Sequence, residues 1–472
     1  MTTTQPERTE ESEGGLKRTI TGRLLYGYVL GDVLGSGVYV LIGSVAAAVG
    51  GAFWLAFAAG VAVATLTGMA YAELVSKYPR AAGASLYVHH AFRRPALTFF
   101  VTVCFLSAAF AAAGSLASGF AGYFTQVFQQ APVLLVSLVF VLALCLINFI
   151  GITESVVANM VMTVVEVAGL AIILAAGVVH VARGDARWGV LTEFRAEGNP
   201  VFAVVAGVAL AFFAMTGFEN AANVAEETRR PAVTFPRALI GGMATAGVIY
   251  VLVAMTAALV VPVDVLGGSE AALLEVIRAG VLPAPVGAMI IAFALIAMVA
   301  ISNTALVSIV TQSRVLYGMG REGVVPRVFS RLHHARRSPW VGLLFSGLVV
   351  GLLLVVGALV QLVDPELDLV GRLATVTVVF LLFIYALVIV SAFKLRGTDE
   401  ADDTYRAPTP LLVVGLVGNV VLLVYVVVDD PSSLLWVGGL LLVGLALYLA
   451  ERASRRGRDP LAGYDGHDAK EG

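Results

Sequence analysis

Long apolar runs alternate with short polar segments along the whole chain, at 24–49, 52–76, 96–126, 132–150, 155–182, 200–227, 236–261, 284–318, 340–360, 369–393, 410–428 and 434–451. Each has the length of a membrane-spanning helix, since roughly 20 residues rising 1.5 Å each cross about 30 Å of hydrocarbon. Two of the runs are interrupted. Run 6 loses helical character around Met215-Thr216-Gly217 and then carries Glu219, Glu226 and Glu227. Run 1 holds Gly31-Asp32-Val33-Leu34-Gly35-Ser36-Gly37-Val38-Tyr39, where a plain span would use Leu and Val. In hydrocarbon every backbone N–H and C=O must be paired, so open backbone at that depth is tolerated only where it lines a protein-enclosed or watery cavity. Paired interruptions at corresponding places in two halves point to a ligand site between them.

Composition turns these runs into a membrane protein: 59% of residues are hydrophobic and 13% charged, against roughly half and a quarter in a soluble domain. Charge then orients it. With the first segment placed in the cytoplasm, only Arg183, Arg187, Arg195, Arg278 and Arg372 of the 30 Lys and Arg fall outside. This asymmetry fits the positive-inside rule and predicts a multi-pass protein of the cell membrane with both termini cytoplasmic. The first run, at roughly 25 residues, exceeds the 7 to 15 of a signal core and reads as a retained span. No basic patch with interleaved aromatics offers a nucleic-acid surface, and Cys104 and Cys145 lie inside apolar runs and imply no disulfide framework.

The organisation that follows is all-α and polytopic. Residues 1–20 are a polar tail without apolar periodicity, expected to be disordered. Residues 21–182 hold spans 1 to 5 and residues 200–395 hold spans 6 to 10. Five is odd, so the second block is inverted relative to the first, and the broken runs are the first of each block. That is the five-plus-five inverted repeat of a transporter, with its site at the repeat interface near the midplane. Spans 11 and 12, at 410–451, lie outside the repeat and scaffold the fold or face lipid or a second subunit; residues 452–472 form a cytoplasmic tail.

Four ordered motifs carry a resemblance. Gly35-Ser36-Gly37-Val38-Tyr39 is followed by Tyr71-Ala72-Glu73-Leu74-Val75-Ser76-Lys77-Tyr78-Pro79-Arg80-Ala81-Ala82-Gly83. Gly217-Phe218-Glu219 then precedes Ala225-Glu226-Glu227-Thr228-Arg229-Arg230-Pro231, and Ser313-Arg314-Val315-Leu316-Tyr317-Gly318-Met319-Gly320-Arg321-Glu322-Gly323 closes span 8. Together, over about 300 residues, they resemble the amino acid, polyamine and organocation (APC) transporter family. The resemblance implies a secondary amino acid transporter with ten core helices. It implies that backbone N–H groups at Gly35, Ser36 and Gly37 hold the substrate carboxylate, that carbonyls of Phe213, Ala214 and Thr216 receive its ammonium group, and that Phe218 gates it. The half-helix N-terminus suits an anion, because it presents unpaired donors and a positive dipole end. The stretch from Pro79 to Phe92 is expected, on the same resemblance, to pack as a short helix under the inner vestibule.

Span 5 departs from the family. Several proton-coupled relatives have a lysine where Glu166 stands, and that lysine replaces a sodium ion between spans 1, 5 and 8. Here Ser155, Asn159, Thr163 and Glu166 form one polar stripe. A carboxylate near mid-membrane costs about 2.5 to 3.5 kcal/mol and is functional by default. Glu166 therefore carries the coupled proton, or is a neutral structural carboxyl, or binds sodium with Ser302, Thr304 or Ser308.

Asp32 and Glu219 sit one turn or less from the breaks, where each either caps freed N–H groups or contacts a cationic substrate. Glu73, Glu226 and Glu227 lie towards the cytoplasmic ends near Arg80, Arg229 and Arg230, as ion pairs of an inner gate or as solvated helix ends. His89, His90, His333 and His334 read as loop residues and complete no metal site. Asn148, Asn303 and Asn419 read as interhelical hydrogen bonders. No phosphate loop or nucleophile with its base suggests an enzyme, and no cofactor is called for. The expected function is amino acid transport by alternating access with proton symport. The alternatives are exchange, a cationic amino acid or polyamine carrier needing Asp32 or Glu219 exposed at the site, and a sensor that does not transport.

Overall fold

Apolar runs of spanning length fold as helices because a helix pairs its own backbone groups without water. The computed structural model describes residues 20–79, 83–128, 131–150, 156–195, 199–225, 227–334, 336, 338–398, 404–454 and 460–461, with side chains for all but 156–160 and 223. The tail 1–19, Arg80, Ser155, the Asn159 side chain, Glu226 and residues 462–472 lie outside this description.

The first span is broken as expected, into α1 (Gly22–Val33) and α2 (Gly37–Val49), bent by 43°. Next come α3 (Trp54–Lys77), the short α4 (Gly83–Phe92), α5 (Pro95–Val127), α6 (Val133–Ile150) and α7 (Val156–Ala182). The second block opens with α8 (Pro200–Ala214) and the tight helical turns Phe218–Val224, then α9 (Pro231–Val260). Two short helices, α10 (Val263–Gly267) and α11 (Ala272–Arg278), lead to α12 (Val286–Glu322), α13 (Trp340–Gln361) and α14 (Leu369–Lys394). The last spans are α15 (Thr409–Asp429) and α16 (Ser433–Ser454). Among the described residues the only β pairing is the isolated bridge of Ile20 with Thr228, which ties the start of span 1 to the end of span 6.

Two helix ends differ from the apolar runs. α9 begins at Pro231, five residues before its run, because proline suits a first helical position and lacks only an N–H that would be unpaired there. α12 continues past Gly318 and Gly320 and stops at Gly323, which takes a left-handed φ of 72° while Val324 N donates to Met319 O at 3.1 Å. Gly320 is not a terminator. A Cβ there would stand 2.8 Å from Ser330 N, so glycine lets the turn Arg327–Ser330 approach.

Corresponding spans of the two blocks pack on each other. α2 packs on α8 and α1 on α9; α3 packs on α9, α5 on α12 and α6 on α13. Those contacts include the first, second, third and fourth spans of one block against the corresponding spans of the other. The short helices fall at matching places too, α4 after the second span and α10 with α11 after the seventh. α4 packs against the turns Phe218–Val224 and against α5 and α14.

Candidate functional site

Breaking a helix frees carbonyls at its C-terminus and N–H groups at the next N-terminus. Here two breaks meet face to face. Gly217 takes φ +112°, and a Cβ there would lie 2.9 Å from the carbonyl oxygen of Asp32. A Cβ at Gly37 would lie 2.4 Å from the Ala214 Cα. The last carbonyls of the two half-helices, on Val33 of α1 and Ala214 of α8, both accept from the hydroxyl of Tyr250 on α9. On the other side Ser36 N donates to Thr304 Oγ1 of α12 at 3.2 Å.

A cavity opens at this junction. Its wall includes Gly35, Ser36, Gly37, Phe213, Ala214 and Thr216, together with both carboxylates, Asp32 and Glu219. Asn220, Thr304, Ser308, Thr311 and Thr377 add polar atoms, and Phe105, Leu116 and Leu381 apolar surface. No Lys, Arg or His is among the described residues lining it. Ser36 is 1% exposed and its Oγ has no hydrogen-bond partner; Asp32 Oδ2 is likewise buried without one. Glu219 Oε2 accepts from Gly217 N at 2.9 Å, so that carboxylate caps the break it follows. Asn220 lies against Asp32. The expected carbonyl acceptors are partly occupied: Phe213 O accepts from Thr216 N at 3.1 Å and from Thr216 Oγ1 at 2.7 Å.

Two expected site residues stand back from the cavity wall. Phe218 is 1% exposed and packs in an aromatic cluster with its ring centroid 5.6 Å from Tyr71 and 5.2 Å from Tyr385. Tyr71 in turn contacts Tyr87 of α4. Glu166 is fully buried behind the break of span 1. Its Oε1 accepts from Asn303 Nδ2 of α12 at 3.0 Å, and its Oε2 has no partner. Tyr39 of α2 donates to the main-chain carbonyl of Glu166 at 2.7 Å, and Thr163 packs where a Cβ on Gly31 would be. Glu166 thus sits among spans 1, 5 and 8. Ser302 Oγ turns back to Met298 O of its own helix at 2.6 Å.

Ion pairs and acids also lie at the ends of the spans. At the end expected to face the cytoplasm, Glu73 pairs with Arg396, its two oxygens accepting from Nε and Nη2 at 2.8 Å each. Ala407 N also donates to Glu73, and Arg396 donates to Ala407 O, so the strap between α14 and α15 closes on α3. At the opposite end Asp368 caps α14 through Gly371 N at 2.9 Å and accepts from Ser44 Oγ of α2 at 2.6 Å. Burial, and then Asp368, push the Glu270 carboxyl up from its ordinary value.

Tyr250 and Asn220 are site residues that the sequence reading missed, and Thr304, expected there only as a sodium ligand with Glu166, instead holds Ser36 N. Tyr250 had a signal, a phenol whose polar tip needs a partner inside an apolar run. Asn220 stands among other amides and had none.

Comparison with known proteins shows the family. The family model described as amino acid permease matches residues 24–445. The branched-chain amino acid permease of Bacillus subtilis is 24% identical over 86% of this chain and 86% of its own length. A chloroplastic cationic amino acid transporter of Arabidopsis thaliana is 28% identical over 64% of this chain, which spans about half of that longer protein, 55%. In fold, the crystal structure of a manganese transporter from Eremococcus coleocola superposes with a TM-score of 0.61 at 14% identity, covering 94% of this chain and 99% of that one.

Proposed function

The chain belongs to the amino acid permease family, and from that premise we propose that it is a secondary transporter of amino acids in the cell membrane, coupled to protons and working by alternating access. The observation that carries this reading is the cavity walled by both helix breaks, which gathers Gly35, Ser36, Gly37, Ala214 and Thr216 at one place. Donors at Gly35 to Gly37 receive the substrate carboxylate. Since Ser36 N is engaged by Thr304, the unpartnered Ser36 Oγ joins the Gly35 and Gly37 amides in that role. The ammonium end lies towards the break of span 6. Phe218, packed between Tyr71 and Tyr385, links closure of the substrate site to the aromatic cluster below it.

Glu166 carries the proton. It lies where three spans meet, has one neutral partner in Asn303, and keeps one oxygen open. Its partner on span 8 is an N–H donor, the Asn303 amide, and not a hydroxyl oxygen of Ser302, Thr304 or Ser308 such as a sodium site would use. Both termini lie in the cytoplasm by the distribution of Lys and Arg.

The named substrates of the relatives differ, cationic in one and branched-chain in another, and their shared class, amino acids, is what we carry over. The test is uptake of a panel of labelled amino acids into proteoliposomes with and without an inward proton gradient, for the native protein and Glu166→Gln. Gradient-driven accumulation that the substitution abolishes, with exchange of preloaded substrate intact, is expected. Uptake that ignores the gradient and requires substrate inside would make the protein an exchanger with a structural Glu166. No movement of any amino acid would remove the transport reading and favour a sensor.

A further inference from the structure

Two carboxylates, Asp32 and Glu219, face one cavity whose described lining residues include no cation. They are not equivalent. Glu219 is committed, through Oε2, to the N–H of Gly217. Asp32 has the Asn220 side chain as a hydrogen-bond partner but keeps Oδ2 buried and unpartnered. A buried charged oxygen without a partner is costly, and such an atom beside a cavity is an acceptor waiting for a donor.

Two of the three expected acceptors of an ammonium group are already engaged: Phe213 O accepts two hydrogen bonds from Thr216, which fills both its lone pairs, and Ala214 O accepts one from Tyr250. At the other end of the ligand, Ser36 Oγ is unpartnered, in a 1% exposed residue that lines the same cavity four residues along the chain. An unpartnered acceptor and an unpartnered hydroxyl on one wall match a molecule that carries both a cationic donor and an anionic acceptor.

We propose that Asp32, rather than the backbone carbonyls of span 6, receives the substrate's ammonium group through Oδ2. This rests on the transport reading and specifies its substrates as those with a free ammonium group. With a second carboxyl, Glu219, on the same cavity and no cation among the described lining residues, neutral and cationic amino acids are accepted and those with acidic side chains are disfavoured. A charge-assisted hydrogen bond of this kind corresponds to about 10- to 100-fold in affinity.

The test is displacement of a labelled ligand from the purified full-length protein by three probes. They are the amino acid best taken up in the panel, its desamino acid (the amine replaced by hydrogen) and its decarboxylated amine. In Asp32→Asn the amino acid and the amine are expected to lose about 10- to 100-fold while the desamino acid stays within about 3-fold. That unchanged acid also shows that the cavity is intact. If Asp32→Asn does not fold, Asp32→Ser is read in the same way. Equal loss for all three probes would make Asp32 a structural cap and overturn the assignment, as would no loss for any. If no amino acid is transported, leucine, 4-methylpentanoate and isopentylamine serve as the three probes: amine binding that requires Asp32 upholds the receptor while the amino acid reading falls, and no amine binding removes both.

Discussion

The hydroxyl of Tyr250 lies 3.2 Å from the carbonyl oxygen of Ala214, the last residue of α8, and also donates to the carbonyl of Val33, the last residue of α1. One phenol thereby serves the equivalent orphan carbonyls of both broken spans. Tyr250→Phe keeps the ring and removes this bond, leaving two buried carbonyls short of a donor, at a cost of about 1 to 3 kcal/mol. The expected outcome is a lowered melting temperature together with a transport rate well below native. Native-like melting and uptake would show that other donors reach these carbonyls.

At Gly37, α2 and α8 approach closely. A methyl group there would stand 2.4 Å from the Ala214 Cα and 2.9 Å from its Cβ, a clash relieved only by parting the two half-helices. Overpacking of this kind costs about 1 to 3 kcal/mol or more. Gly37→Ala is expected to abolish uptake in protein that still inserts. Gly27, one helix earlier, has nothing within 4 Å of its would-be Cβ, so Gly27→Ala is the matched control and is expected to transport normally. Equal activity of the two variants would mean that the interface is looser than it stands here.

The spans were legible because lipid tolerates little but apolar side chains over a fixed thickness, and the breaks because Gly35, Gly37 and Gly217 have no lipid-facing purpose. That Asp32 and Glu219 share a cavity followed from those breaks being paired. What could not be read is which distant side chain completes each polar group. Glu73 finds Arg396 at a separation of 323 residues, and Glu166 finds Asn303 at 137. Charge and spacing flag the need for a partner, but every Arg or Asn on a neighbouring span satisfies that need equally until the helices are packed. Phe218 shows the same limit. Its position beside Gly217 signals the site, while its burial between Tyr71 and Tyr385 is a property of three separate spans.

Glu73 and Arg396 form a bidentate pair with side chains only 7% and 10% exposed. Removing one partner of a buried pair leaves an uncompensated charge and costs about 3 to 5 kcal/mol. Glu73→Ala and Arg396→Ala are each expected to lower the melting temperature, and the double variant to lose distinctly less than the sum, because it buries no lone charge. Additive losses would show that the two side chains act independently, through their separate bonds to Ala407 and Thr409.

At the opposite end Arg372 of α14 clamps Asp430, in the turn between α15 and α16, with Ser432 and Ser433 completing the set. Burial opposes ionisation of Asp430, yet the hydrogen bonds from Ser432, Ser433 and Arg372, with the Arg372 charge, prevail and hold its carboxyl below the ordinary value. A group whose folded value lies below its unfolded one stabilises the fold above the unfolded range, and that contribution is lost as pH falls through the folded value. Asp430→Asn is therefore expected to melt below the native protein at pH 7. The gap should narrow once pH drops under about 4, the unfolded aspartate value. Because both partners are partly solvated, raised salt should also shrink it at pH 7. A gap that is constant from pH 7 to pH 3 would mean that the asparagine disturbs the turn itself and that the Arg372 clamp adds nothing to stability.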